Sequence, residues 1–233
     1  LAETLISENL LESTRRSQSK YIIVNTCGFI HDAREESISV LRECAEKKKP
    51  GQYLIAAGCL SQRFQETLKK IVPGIDGMIG TRNLRDILAI THKLEQGDPS
   101  TGVLDHEHIH YQQNISGYAL QGNSAYLKIA DGCRRACAFC AIPLIKGSLI
   151  SRSRDQIIHD ALRLQSMGIK EINLIAQDVT DFEQDLGRKD ALPDLLETLL
   201  PQIPDVAWLR LLYTFPGYVS DRLADLMAAD NHL

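Results

Sequence analysis

Three thiols stand within the eight residues Cys133-Arg134-Arg135-Ala136-Cys137-Ala138-Phe139-Cys140, separated by three and then two residues. Three thiolates are one ligand short of a closed structural zinc site, which takes four protein ligands in two closely spaced pairs. The next histidine, His159, lies nineteen residues beyond Cys140, with no Cys or His close behind it. A 4Fe-4S cube held by three cysteines leaves one iron open to a chelating small molecule, and the spacing favours that chemistry. A zinc site or a redox thiol set is the alternative reading.

Two further cysteines follow apolar runs and adjoin glycines: Cys27 in Asn25-Thr26-Cys27-Gly28 and Cys59 in Ala57-Gly58-Cys59-Leu60. At the same end of a parallel sheet they would be plausible ligands of a second cluster, with glycine letting backbone approach closely. Small apolar fillers at strand ends are the competing reading. Cys44 lies within a helical pattern and is assigned to core packing. His106, His108 and His110 alternate through a polar stretch, which places them along one side of an extended surface segment rather than around a metal.

The elements that must position these residues follow an α/β rhythm. Leu1, Leu5, Ile6 and Leu10 suggest a helix over Leu1–Arg16, and Tyr21–Thr26 is a β-branched run of the kind buried in parallel sheets. A helix over Ala33–Lys49, a strand over Tyr53–Ala57, a helix over Ser61–Val72, a strand over Gly77–Gly80 and a helix over Asn83–Gln96 complete a first domain, residues 1–97. Such a doubly wound sheet gathers ligands beyond the carboxyl ends of its strands.

Residues 98–123 read as a linker. The second domain, 124–233, is expected to begin with a strand over Ala125–Ala130 that runs into the cysteine loop. Ser153 and Gln156 form a capping box for a helix ending at Gly168. Strands over Glu171–Ala176 and Val206–Leu212 and helices over Leu192–Leu200 and Asp221–Ala229 follow. Repeated βα units of this length describe the first part of a (β/α) barrel, whose chemistry sits on the loops after its strands.

The chain has 233 residues, and 26 Lys plus Arg against 30 Asp plus Glu give a net charge of −4, so no global basic field points to nucleic acid. Six cysteines without a signal peptide suit a reducing cytoplasm. No apolar run approaches the roughly 18 residues of a membrane helix. With Leu1 first and Asn231-His232-Leu233 directly after a helical pattern, the sequence is read as a piece of a longer protein.

Beyond the cysteine triplet, the sequence resembles the radical S-adenosylmethionine (SAM) methylthiotransferases. The resemblance rests on Tyr126-Leu127-Lys128-Ile129-Ala130-Asp131-Gly132-Cys133 and Phe139, on Asn25-Thr26-Cys27-Gly28-Phe29-Ile30 and Arg34-Glu35-Glu36-Ser37, and on Gly58-Cys59-Leu60 and Ile142-Pro143. Arg152-Ser153-Arg154, Leu174-Ile175-Ala176-Gln177-Asp178 and Arg210-Leu211-Leu212-Tyr213 follow in the family's order, so the likeness covers essentially the whole chain. Gly28-Phe29-Ile30, Ala176-Gln177-Asp178 and Leu211-Leu212-Tyr213 resemble the branch called RimO, which modifies an aspartate of a small-subunit ribosomal protein, more than the branch that modifies tRNA adenosine.

The resemblance implies two 4Fe-4S clusters and SAM as cofactors, one cluster on Cys133, Cys137 and Cys140 and a second using Cys27 and Cys59. It implies that Phe139 lies against the adenine and that Lys128, Arg154, Gln177 and Asp178 hold polar parts of SAM. A small-subunit ribosomal protein substrate and a reductant protein such as a flavodoxin or ferredoxin are the implied partners. The family's first domain also carries an earlier cysteine, upstream of Leu1, and a small β-domain follows its barrel, so activity of this stretch alone is doubtful. A non-catalytic iron-sulfur or zinc module is the reading from another class.

Overall fold

The computed structural model describes residues 5–6, 10–82, 86–97 and 118–233, and the chain divides into two compact units, Leu1–Ile109 and His110–Leu233.

In the first unit, β1 (Tyr21–Thr26), β2 (Tyr53–Gly58) and β3 (Gly77–Gly80) form a three-stranded parallel sheet in that order. Helices α1 (His31–Lys47), α2 (Cys59–Ile71) and α3 (Ile87–Glu95) alternate with them. Alternate residues of the central strands enter opposite cores. Leu54, Ala56 and Met78 join Leu41, Cys44 and Leu68 on one face, while Ile55, Ala57 and Ile79 join Ile87, Ile90 and Leu94 on the other. Covering both faces explains why β2 is a continuous apolar run rather than an alternating one.

The second unit has a four-stranded sheet of β4 (Tyr118–Gln121), β5 (Ser124–Lys128), β8 (Glu171–Ile175) and β9 (Trp208–Leu211). The last three are parallel, and β4 is an antiparallel edge strand. A separate short antiparallel pair joins β6 (Ala130–Asp131) to β7 (Ile150–Ser151), with α4 (Ile142–Lys146) between them. Helices α5 (Arg154–Ser166), α6 (Ala191–Leu199) and α7 (Asp221–Ala229) complete the βα units, and their apolar faces meet the sheet around Leu127, Ile172, Leu174, Leu195, Leu196 and the fully buried Phe182. The mixed α/β architecture, with cysteines on the loop after the first parallel strand, is that of a partial (β/α) barrel.

Several expectations are revised. Of the helix expected over Leu1–Arg16, part lies outside the described residues; residues 10–15 are not helical, and a 3-10 turn occupies Arg16–Gln18. The strand expected over Ala125–Ala130 is interrupted at Ile129: its amide still donates to the Ile175 carbonyl, but its own carbonyl accepts from the Arg152 amide at 2.8 Å, and Ala130 pairs with Ser151. Tyr118–Gln121, placed in the linker, is a strand closed onto β5 through a turn at Gly122, where φ is +60°. His106, His108 and His110 lie outside the described residues. Among the described residues no helix is long and apolar enough to cross a membrane.

Candidate cluster-binding sites

The short strands β6 and β7 close the base of the cysteine loop. Asp131, at the end of β6, is buried and accepts from Lys128 Nζ at 3.0 Å, Lys146 Nζ at 3.3 Å and the Gly132 amide at 3.0 Å. Burial pushes its carboxyl up, but the two lysines outweigh that and hold it below the ordinary aspartate range. Gly132 follows at φ +74°, where a Cβ would stand 2.0 Å from the Ser148 carbonyl oxygen, so only glycine fits this crossing. The Cys133 amide then donates to the Gly147 carbonyl at 3.1 Å. Both ends of the loop are thereby held to its own base.

Between those ends, Cys133 and Cys140 are partly exposed, Cys137 is exposed, and no disulfide joins any of the chain's six cysteines. Cys140 Sγ accepts the Ile142 amide at 3.5 Å, a backbone donor of the kind that stabilises a cluster thiolate. Among the described residues no three His, Cys, Asp or Glu side chains are gathered closely enough to hold a metal ion. Three soft sulfur donors on one loop, with an amide donor beside the last, are of the chemical kind that an iron-sulfur cluster takes, although their sulfurs are not gathered about a common point. Phe139, just before the last thiol, is 89% exposed, an aromatic face left open beside the loop.

The loops after β8 and β9 meet the cysteine loop. Arg134 Nε donates to both carboxylate oxygens of Asp181, at 3.0 and 2.9 Å. Arg135 donates through Nε to Asp178 Oδ2 at 2.8 Å and through Nη2 to the same oxygen, and its guanidinium lies 4.1 Å from the ring centroids of both Phe215 and Tyr218. Burial alone would lower the Arg135 pKa, but Asp178 and Tyr218 more than offset it and hold it above its ordinary value. The Val179 amide donates to the Tyr213 carbonyl at 3.1 Å, tying the second loop to the third. The non-glycine residues with positive φ among those described, Glu183, Asp190 and Tyr213, all lie in these two loops. Such strain concentrates where a site is being shaped.

The expected SAM-binding residues divide. Gln177 is exposed beside the loops, as a ligand contact would require. Lys128 is paired with Asp131, Arg154 with Glu183 and Asp194, and Asp178 with Arg135, the Thr180 hydroxyl and the Thr180 amide. Arg134, Arg135, Asp181, Phe215 and Tyr218 went unremarked in the sequence. The signal available was a pair of arginines inside a metal-ligand motif, where no helical or strand period calls for charge.

On the first unit, Thr26 pairs with Gly58 across β1 and β2, so Cys27 and Cys59 leave neighbouring strands at the same edge. A Cβ on Gly28 would stand 2.6 Å from the Cys59 carbonyl oxygen, which shows how closely the two segments approach. The Cys27 amide donates to Ser37 Oγ at 3.0 Å, and Arg63 Nη1 donates to the Gly28 carbonyl at 3.1 Å. Cys59 is the first residue of α2 rather than part of the preceding strand. Cys44 is 2% exposed in the core beside Leu41 and Leu54, away from this edge.

Known proteins resemble this chain in sequence and in fold. Residues 1–80 match the family model described as uncharacterized protein family UPF0004. A ribosomal protein uS12 methylthiotransferase RimO of Syntrophomonas wolfei is 39% identical over 212 residues, covering 90% of this chain and 48% of that protein. Its namesake from Natranaerobius thermophilus is 39% identical over 233 residues, covering 97% of this chain and 52% of that protein. The chain thus spans about half the length of the curated relatives it matches. Among solved structures, the radical S-adenosylmethionine methyltransferase TsrM from Kitasatospora setae, with cobalamin and a 4Fe-4S cluster bound, superposes with a TM-score of 0.61 over 92% of this chain and 47% of its own, at 11% identity. That likeness concerns the fold alone. In sequence the chain is similar to the RimO-named methylthiotransferases over about half of their length, and in fold it resembles TsrM.

Proposed function

We propose that the protein carrying this chain is a radical SAM methylthiotransferase that adds a methylthio group to an aspartate side chain of ribosomal protein uS12, the substrate in its relatives' name. The observation that carries the reading is the presentation of Cys133, Cys137 and Cys140 on the loop after the first parallel strand, where the loops after the next two converge on it. These cysteines hold one 4Fe-4S cluster, and Cys27 and Cys59 contribute to a second. When bound, the first cluster supplies the electron that cleaves a carbon-sulfur bond of SAM and opens radical chemistry at an unactivated carbon.

The chain's own residues bind, orient and exclude water. Phe139 offers an unobstructed ring to the adenine, and Gln177 offers an exposed amide to a polar part of SAM. Lys128, Arg154 and Asp178 reach SAM only by leaving their present partners, and otherwise shape the same edge through them. A flavodoxin- or ferredoxin-like protein is the reductant, in the cytoplasm. The net charge of −4 favours a basic ribosomal protein over tRNA as partner.

The full-length protein, reconstituted anaerobically with iron and sulfide and reduced with dithionite, is expected to release 5'-deoxyadenosine from SAM. Cys140→Ala is expected to abolish that release. A cluster-loaded protein that releases none would indicate a non-catalytic module. Mass spectrometry of uS12 and of tRNA from a deletion strain tests the target. Loss of the methylthio group from uS12 is expected, and its loss from tRNA alone overturns the substrate assignment.

A further inference from the structure

We propose that Arg135 is a positioning residue that clamps the cysteine loop onto the loops beyond β8 and β9, presenting Cys133 and Cys137 from a fixed backbone. The proposal rests on the reading of Cys133, Cys137 and Cys140 as cluster ligands. Arg135 stands two residues from Cys133 and two from Cys137, so holding its backbone constrains both.

Two adjacent arginines of equal charge provide an internal comparison. The Arg134 side chain is 44% exposed and pairs with Asp181. The Arg135 side chain is 16% exposed, donates twice to Asp178, lies 3.8 Å from Asp181, and is stacked on Phe215 and Tyr218. Its partners are themselves held. Asp178 accepts the Thr180 amide at 3.0 Å and the Thr180 hydroxyl, which fixes the carboxylate at the start of a 3-10 turn. Phe215 caps the start of the 3-10 turn Pro216–Tyr218 and Tyr218 ends it, with ring centroids 5.7 Å apart.

A planar guanidinium can satisfy these demands at once, donating in its plane to a carboxylate while its face stays against an aromatic ring. A lysine cannot. Arg135 is thus the point at which three loops, from three different strands, are fastened together. A metal ligand's outer partners govern how well the ligand is presented, and their loss costs roughly 10- to 100-fold in metal affinity.

The test uses the full-length protein, first metal-free and then reconstituted. Arg135→Lys keeps the charge and removes the fork and the stacking, Tyr218→Leu removes one stacking face, and Arg134→Lys serves as the control. In metal-free protein, Arg135→Lys and Tyr218→Leu are expected to speed amide hydrogen exchange across residues 132–147 while the core strands β5 and β8 stay protected. In reconstituted protein the same two variants are expected to lose iron to a chelator roughly tenfold faster than wild type. Arg134→Lys, at a side chain 44% exposed and unstacked, is expected to change both clearly less than Arg135→Lys does.

An Arg135→Lys protein that matches wild type in loop exchange and iron retention overturns the clamp, since charge alone would then suffice. Equal loss of protection in β5 and β8 also overturns it, by making the role one of general stability. A wild-type protein that takes up no iron counts against the ligand assignment instead, and the metal-free exchange still decides the clamp.

Discussion

Cys44 and Cys140 carry the same thiol in opposite surroundings. Cys44 is packed beside Leu41 and Leu54, and burial pushes its thiol up, which disfavours the thiolate a metal needs. Cys140 sits on the loop after β5 with its sulfur turned to a backbone amide. Cys44→Ala is therefore expected to lower the stability of the first unit by roughly 1 kcal/mol, the value of one buried methylene-sized group. The iron content of the reconstituted protein should stay at the wild-type level. Urea unfolding and iron analysis check both halves, and a drop in iron would make Cys44 a ligand. The burial of Cys44 was legible in the sequence, because the helical pattern around it is a local signal. The pairing of Arg135 with Asp178 was not, since the partners are 43 residues apart and the register of two loops decides their meeting.

At the scale of elements, the helices and buried strands were readable wherever one face is apolar over several residues. Ser153 accepts the Gln156 amide at the start of α5, as the capping box predicts. Tyr118–Gln121 escaped because an exposed four-residue edge strand has no buried face to impose a period of two. Ion pairs between helices are equally silent in sequence. Asp194, in the first turn of α6, accepts from Arg222 of α7 at 2.7 Å and from Arg154 of α5 at 3.4 Å. The hydrogen bond from Arg222 lowers its pKa most, burial works against that, and Arg154 adds to the lowering.

A carboxylate whose folded pKa lies below its unfolded one stabilises the fold fully above the unfolded value of about 3.9 and loses that contribution as the pH falls through the folded value. Asp194→Asn should therefore cost about 0.5–1 kcal/mol at neutral pH, the scale of a largely solvated pair. The difference from wild type should shrink as unfolding is repeated at progressively lower pH. A difference that stays constant into strong acid would show that the charge on Asp194 is not what stabilises the helices.

For the whole molecule, the sequence offers two series of apolar strands, and the chain divides into the compact units Leu1–Ile109 and His110–Leu233. What joins each series into a unit is its core. The cores around Leu54 and Ile55 take residues from Ile22 to Leu94, and the core around Leu127 and Phe182 takes residues from Ala125 to Leu223. Leu54 is fully buried in the central strand β2, so Leu54→Ala is expected to cost the first unit about 2–5 kcal/mol, the transfer loss plus the cavity left behind. Because cooperative units follow their packing, amide protection should fall across β1, β2 and β3 and hold in β5 and β8. Hydrogen exchange read by mass spectrometry separates the outcomes. Parallel loss in β5 and β8 would mean that the two cores melt as one, and that the sheet carrying Cys27 and Cys59 and the sheet carrying Cys133 share a single cooperative fold.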